Sequence, residues 1–514
     1  MSVNSSPDEV AIPHTSRGGV FNMALLRVPV LLLLFLCAAI YEACHLTVLG
    51  DYDIWWHLRT GAWVLQNHAV PHTGLFTQYS NRPWIAYGWG FDIIAATFYN
   101  LFGLRGLPIL QMCFKLAVAV VAFILARGSF QNFWPAVFLS AIGQYAITDF
   151  KARPGSLSIL LLGIELILLF EARRTGNIRR LFWLPLLFVF GANLHIQFVY
   201  GLFVLGLFAV VLLLEELAPR FGMTWFTSQT PTLPALHVAA IACTCALATL
   251  FTPYGYRLYQ VAWQYAHSAA VYEYILEMHA MNFRWPEHYV RLLLTMTACF
   301  ALGHRSSRHL FGIALLVTSA LIAFRQQRDA WFMVLVSIAV ISDAYFLEQP
   351  VWQDVRRTLS WEKLITAAFV PLLLMVAIIR YVPSSRELLL RKVSEVFPVK
   401  ACDVIRERHL PPPIFNPLNW GGFLTWYLPD YPVAIDGRTD LYGDEIVIRQ
   451  HKIWDGELPA ENEPTLVHAR TLLVGSKTAL AAALHESPGY RLVYDDEMAA
   501  VFERTVGPDI VTPK

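Results

Sequence analysis

The sequence predicts an α-helical polytopic membrane protein of about 11 transmembrane helices, closed by a C-terminal α/β soluble domain. Three observations carry this prediction. Apolar runs long enough to span a bilayer recur from Val28 to about residue 381. Only 15% of the 514 residues are charged and 56% are hydrophobic, whereas a soluble domain carries about a quarter charged residues. After Pro383 the long runs stop, and short strand-like and helix-like stretches alternate between turn signals. This composition excludes an ordinary soluble enzyme and a disordered chain.

Residues 1–27 form a polar tail with Arg17 and Arg27. From Val28 the chain is apolar to Gly50, broken only by Glu42 and His45. That is longer than a signal-peptide core and lacks a cleavage site, so it reads as an uncleaved first helix. Further runs follow at 88–104, 108–127, 132–147, 156–172, 181–199, 200–217, 234–252, 289–303, 310–324, 331–347 and 363–381. Basic loops stay cytoplasmic. The loop Arg173–Arg180, the loop His304–His309 and a third with Arg356, Arg357 and Lys363 all fall on one side when the spans are counted. The opposite side then holds loop 51–87, segment 148–155, loops 253–288 and 325–330, and residues 383–514. The expected organisation is a cytoplasmic tail (1–27), a multi-span domain (28–382) with external loop 51–87, and a periplasmic α/β domain (383–514). Three runs lie between the external segments 51–87 and 148–155, where parity admits two spans. One of 88–104, 108–127 and 132–147 therefore lies along the interface or re-enters.

In the last domain, stretches at 413–416, 433–436, 471–475 and 492–494 read as buried strands, and 401–409 and 478–485 as helices. The run Asp436-Gly437-Arg438-Thr439-Asp440 at a strand end reads either as a functional loop or as a turn with an internal Asp–Arg pair.

Charge and cysteines narrow the function. Lys+Arg total 39 against 38 Asp+Glu, a formal net charge of +1, which gives no electrostatic case for nucleic acid. Six of the seven cysteines sit in apolar runs and Cys402 stands alone, which makes neither a disulfide framework nor a zinc site. No Walker loop, Rossmann glycine fingerprint or HExxH motif is present.

The chemistry-bearing residues collect on the external side. Directly after the first run comes Asp51-Tyr52-Asp53-Ile54-Trp55-Trp56-His57-Leu58-Arg59, and later Arg82-Pro83-Trp84. Asp51 and Asp53 share one face of an extended segment, so both can point into one cavity, although capping or plain solvation explains either. Segment 148–155 adds Asp149, Lys151 and Arg153, which read either as snorkelling charges or as a second acidic site with cations. His195 and Gln197 lie near the outer end of a run, where polar groups face a bundle interior or a wet cavity. Arg325 and Arg328 sit outside, against the positive-inside tendency. Such guanidinium groups suit a phosphate, bound bidentately; the alternative is pairing with Asp329 or another carboxylate.

This layout resembles the GT-C superfamily of membrane glycosyltransferases, in its bacterial dolichyl-phosphate-mannose-mannosyltransferase-like branch. The resemblance rests on Asp51 and Asp53 after the first span, Asp149 ahead of Arg153-Pro154, the span number and the external C-terminal domain. Asp53-Ile54-Trp55-Trp56-His57-Leu58, Trp420–Trp426 and Ile435–Arg438 further resemble a little-characterised group of bacterial multi-span proteins. The resemblance implies Asp53 as catalytic base, Asp51 as its competitor and Asp149 as the second acidic site. Glu273 or Glu277 stands in for the family's late acidic motif. It implies Arg325, Arg328, Arg153 and Lys151 as donor-phosphate ligands, and His57, Arg59, Arg82, Trp84, His195 and Gln197 around the acceptor. A divalent metal, magnesium or manganese, would be held by Asp51, Asp53 and Asp149.

The implied function is transfer of a sugar from a polyprenyl-phosphate donor, with inversion, to an external acceptor at a bacterial inner membrane. The partners are that lipid and the surrounding membrane lipids, not nucleic acid. Two other readings stay open. One is a non-catalytic scaffold whose outer aromatics, Trp420, Trp426, Tyr427 and Tyr442, stack on glycans. The other is a flippase, for which no internal repeat is visible.

Overall fold

A computed structural model describes residues 26–128, 133–147, 151–222, 233–304, 309–346 and 361–505. The cytoplasmic-tail assignment, the basic residues Arg356 and Arg357, and Asp149 lie outside the described residues.

Each apolar run folds as a helix. The first run is α1 (Arg27–His45), and α2 (Ile54–Asn67) follows within the first loop. Next come α3 (Trp89–Phe102), α4 (Gly106–Arg127), α5 (Phe133–Ala146), α6 (Pro154–Thr175), α7 (Leu184–Leu194), α8 (Phe198–Leu217) and α9 (Ala235–Ala248). Loop 253–288 holds α10 (Arg257–His267) and α11 (Ala269–Tyr274). The membrane part closes with α12 (Pro286–His304), α13 (Leu310–Arg325), α14 (Ala330–Phe346) and α15 (Trp361–Tyr381). Four stretches are long and apolar enough to cross a bilayer, namely Arg27–His45, Trp89–Arg127, Pro154–Thr175 and Phe198–Phe221. Large apolar side chains such as Leu33, Phe138, Phe300 and Leu321 face outward, as a lipid-facing surface requires. The chain is a multi-pass membrane protein. Its centre is α14, apolar on all sides and buried on all sides from Ala330 to Val340.

α3 and α5 have 14 residues each, or about 21 Å at 1.5 Å per residue, short of the roughly 30 Å hydrocarbon core. α3 lies against the loop helix α2 so closely that a Cβ on Gly61 would meet the carbonyl of Asp92. Glycine is what admits this approach.

Beyond residue 383 come α16 (Arg386–Val393), α17 (Val399–Glu407), α18 (Leu418–Tyr427), α19 (Thr439–Trp454), α20 (Pro464–His468) and α21 (Ala479–Glu486). They surround a four-stranded sheet of β1 (Ile414–Phe415), β2 (Thr471–Gly475), β3 (Tyr490–Asp495) and β4 (Ala499–Arg504). The order is β1-β2-β4-β3, with β1 parallel to β2 and the other pairs antiparallel. The expected α/β character holds, with two differences. The stretch 433–436 is not a strand: Val433 makes only isolated bridges, to Thr77 and Ile414. β4 pairs with both β2 and β3, a role the sequence reading did not assign.

The C-terminal segment is not a detached module. Val433 exchanges backbone bonds with the first loop, its N–H to the Phe76 carbonyl and its carbonyl to the Gln78 N–H, each at 3.0 Å. A Cβ on Gly422 would stand 2.5 Å from the Tyr52 carbonyl. Trp55 of α2 stacks on Trp426 of α18, ring centroids 4.6 Å apart, inside a cluster with Phe397 and Phe423. Loop 51–87 and the C-terminal segment therefore lie on the same side of the membrane.

Candidate functional site

Local sequence explains how the site's parts are held. Asp51 and Asp53 flank the sharp entrance to α2, and the Asp51 side chain accepts the Asp53 N–H at 2.8 Å. Arg153 is the last extended residue before α6, whose first position is proline. From there it reaches back across the sequence. Its Nε lies 3.0 and 2.8 Å from the two Asp51 oxygens, and its Nη1 lies 2.9 Å from Asp53 Oδ2. Glu277 is 3.7 Å away from Arg153 and also 3.7 Å from Lys151. One arginine thus gathers three carboxylates from two distant loops.

The electrostatics follow. Burial pushes the Asp51 carboxyl up, but Arg153 and then Lys151 outweigh it and hold the pKa below the usual range. Glu277 is likewise lowered, burial being outweighed by Arg153, Arg328 and Lys151. Burial opposes the charge of Arg153, and Asp51, Asp53 and Glu277 more than restore it. Of the two aspartates Asp53 is the more exposed. Its side chain is 24% exposed, with Oδ1 accepting Trp56 Nε1 at 3.3 Å.

The cluster opens on a chamber of about 510 Å³. Asp53, Trp56, His57, Lys151, Arg153, His195, Gln197, Glu277 and Arg328 line it. A neighbouring cavity of about 270 Å³ shares Tyr87, His195, Gln197, Tyr265 and Arg328 with the chamber. It adds Arg325 and apolar side chains from α8, α10 and α13, among them Val199, Ala262 and Ile322. Arg325 lies over the Tyr272 ring at 5.8 Å. Asp329, the expected alternative partner for these arginines, is taken elsewhere. It accepts Gln197 Nε2 at 2.9 Å and the Tyr200 hydroxyl at 2.6 Å. Among the described residues the Arg328 guanidinium forms no close ion pair.

Sequence reading missed one chamber feature. His57 Nδ1 lies 2.5 Å from Asp92 Oδ1, with the histidine 3% and the aspartate 1% exposed. Asp92 sits inside an apolar run, where its being a lone carboxylate among hydrophobic residues was the available signal. His195 is also fixed, by a 2.8 Å bond to the Ser158 hydroxyl.

Several expected residues lie elsewhere. Asp51 does not line the chamber but stands behind Arg153. Arg325 lines the neighbouring cavity. Arg59 points away from the chamber and stacks on Phe76 at 4.8 Å, because two residues along a helix from His57 is a turn of about 200°. Arg82 donates from Nε to the Leu441 carbonyl at 3.1 Å, and Trp84 is buried with its Nε1 on Asp440 Oδ2 at 3.1 Å. Both are drawn off by α19, against which their loop packs. The run 436–440 holds the internal pair. Asp436 and Arg438 are fully buried, 2.9 and 2.6 Å apart at two contacts, and Tyr442 adds a hydroxyl at 3.0 Å. The outer aromatics pack inward: Trp426 on Trp55, Tyr427 on Phe423 and Tyr442 in the core.

Asp51 and Asp53, the described members of the expected set, do not fit a divalent metal. Both Asp51 oxygens and one Asp53 oxygen face the Arg153 guanidinium, and the other Asp53 oxygen accepts the Trp56 indole. Among the described residues no group of three His, Cys, Asp or Glu could hold a metal ion.

No protein-family model and no curated protein matches the chain. The solved structures similar to it include two of one protein. One is ArnT from Cupriavidus metallidurans bound to undecaprenyl phosphate: 12% identity, TM-score 0.48, covering 94% of this chain and 98% of that one. The other is ArnT from the same organism in the apo state: 14% identity, TM-score 0.45, covering 93% and 97%.

Proposed function

We propose that the chain is a membrane glycosyltransferase of the GT-C kind, moving a sugar from a polyprenyl-phosphate donor to an acceptor outside the cytoplasm of a bacterial cell. The observation that carries this reading is the pair of adjacent cavities that share lining residues. One presents Asp53 and Glu277; the other is largely apolar and carries Arg325; Arg328, without a close carboxylate partner among the described residues, belongs to both.

In this reading the donor's isoprenoid chain lies along the apolar cavity and its phosphate meets Arg328 and Arg325. The sugar then reaches the chamber. Asp53 takes the proton of the acceptor hydroxyl or amine as that atom bonds to the anomeric carbon. The bond from that carbon to the phosphate oxygen breaks, and its electron pair leaves on the polyprenyl phosphate. Arg328 and Arg325 stabilise the charge that develops there. A single displacement inverts the anomeric centre. Arg153 holds Asp53 and Asp51 in place; its own ion pairs occupy the position a metal would need, so no step passes through one.

A second base is favoured by one observation. His57, oriented by Asp92 behind it and facing the chamber, has the arrangement of a carboxylate-supported histidine base. The two are separated by transfer assays on reconstituted protein with labelled undecaprenyl-phosphate hexose and pentose, membranes supplying the acceptor. Asp53→Asn should abolish release of undecaprenyl phosphate, and His57→Gln should reduce it less. The reverse order would move the base to His57. Arg328→Ala should raise the donor KM about tenfold or more, the cost of one charge-assisted contact. Absence of any turnover with every donor would end the transferase reading.

A further inference from the structure

Tyr265 stands where three cavities meet. Its side chain lines the chamber, the apolar cavity beside Arg325 and a third cavity of about 290 Å³. Its hydroxyl is 3.2 Å from that of Tyr87 and 3.5 Å from Thr439 Oγ1. Thr439 also lines both the chamber and the third cavity, so a wall one residue thick divides them.

The third cavity has a different character from the apolar one. It lies between α10 and the start of α19, with Arg82 and Asp440 on one side and Gln264 and His267 on the other. Its size is near the lower end of ligand pockets, about 300 Å³. Arg82 uses Nε on the Leu441 carbonyl, which leaves its two Nη groups for the cavity. Asp440 Oδ2 accepts the Trp84 indole N–H, which fixes the carboxyl at the cavity wall. Asp444 is spent on the Ser268 hydroxyl and the Ala269 N–H, so it braces the wall rather than binding. A fixed carboxyl group, a guanidinium and an amide that donate, and a tyrosine ring at the back form a set that matches adjacent hydroxyls on a sugar ring. Val271 is the one aliphatic side chain there, beside the Tyr265 ring, so a lipid tail would find less to pack on than in the cavity lined by Val199, Ala262 and Ile322.

We propose that this third cavity is a saccharide-binding subsite, through which a hydroxyl-rich acceptor reaches the chamber from the aqueous side while the lipid donor uses the apolar cavity. The proposal rests on the transferase reading for the word acceptor, but the saccharide site stands or falls on its own measurement. Tyr265 then separates two substrates of opposite solubility and positions the acceptor at the shared wall.

The test uses the full chain in lipid nanodiscs on an array of bacterial surface glycans, with undecaprenyl phosphate binding measured on the same preparations. Wild type should retain at least one glycan class. Gln264→Trp, which plugs the cavity from an exposed position on α10, and Arg82→Gln should each cut that retention tenfold or more. Arg328→Ala should leave it unchanged and instead lose undecaprenyl phosphate. No glycan retained by wild type, or equal retention by Gln264→Trp, overturns the proposal. Undecaprenyl phosphate bound without any glycan keeps the transferase reading and sinks the subsite. Glycan bound without undecaprenyl phosphate does the opposite.

Discussion

Removing Arg153 exposes how much of the site this one side chain holds. Its guanidinium spans Asp51 at 2.8 Å and Asp53 at 2.9 Å, and the Asp51 side chain is 1% exposed. Arg153→Ala leaves Asp51 as a buried carboxylate with no close cation. Breaking a buried pair from one side costs about 3–5 kcal/mol. The cost depends on pH in a defined direction. In the wild type Asp51 titrates below its unfolded value, so its contribution is present above about pH 4 and is lost as pH falls through the folded pKa. In the variant only Lys151 and the Asp53 N–H still oppose burial, so that pKa is higher than in the wild type, and the variant falls behind the wild type as pH rises above about 4. The gap between the two proteins should therefore be small at pH 4 and widest at pH 8, where the apparent Tm should drop on the order of 5 °C. Arg153→Lys should fall between them, because one ammonium cannot serve both carboxylates with the same fork. Tryptophan-fluorescence melting of the purified protein across that range reads the result. Equal melting at pH 8, or a gap that grows toward acid, would refute the account of Arg153 as the clamp.

Two further outcomes follow from the geometry. Burial lifts the Asp440 carboxyl to about 7, so the folded state holds a proton that the unfolded chain releases between about pH 4 and 7, and stability falls as pH rises through that window. Asp440→Asn keeps an acceptor for Trp84 and should melt higher than wild type at pH 8, the gain vanishing toward pH 4; a pH-independent difference would count against it. Gly61→Ala places a methyl against the Asp92 backbone and should cost about 1–3 kcal/mol or more, seen as a lower yield of folded protein and lower melting. Wild-type behaviour of that variant would mean that α2 and α3 can separate at no cost.

The membrane part was legible because its signal is local. Every apolar run from 88–104 to 363–381 contains the helix it predicted, since hydrophobicity and length are read within one segment. The sheet was less legible. β4, Ala499–Arg504, is a short buried stretch whose strand character comes from pairing on both edges. The stretch 433–436 has strand composition, but Asp436 is turned inward to meet Arg438 and the chain bends there. At the site, sequence placed Asp53, Arg153, His57 and Arg328 on one side, and the structure brings all four to one chamber. What sequence could not give was partnership. Asp51 and Arg153 are 102 positions apart and His57 and Asp92 are 35 apart, so neither pair has a local signature. Arg59, Arg82 and Trp84 were drawn to the chamber by proximity in sequence, where helix phase and the docking of α19 decide otherwise.

The interlock between Val433 and the strand-like edge at Phe76 and Gln78 has a consequence for biosynthesis. The first loop emerges from the ribosome early, but its partners are made more than 350 residues later. Until they arrive, one wall of the chamber is missing and the Phe76 and Gln78 backbone groups have no mate. A nascent or prematurely terminated chain would thus carry the apolar helices yet no finished chamber, and quality-control proteases would meet an open edge to recognise.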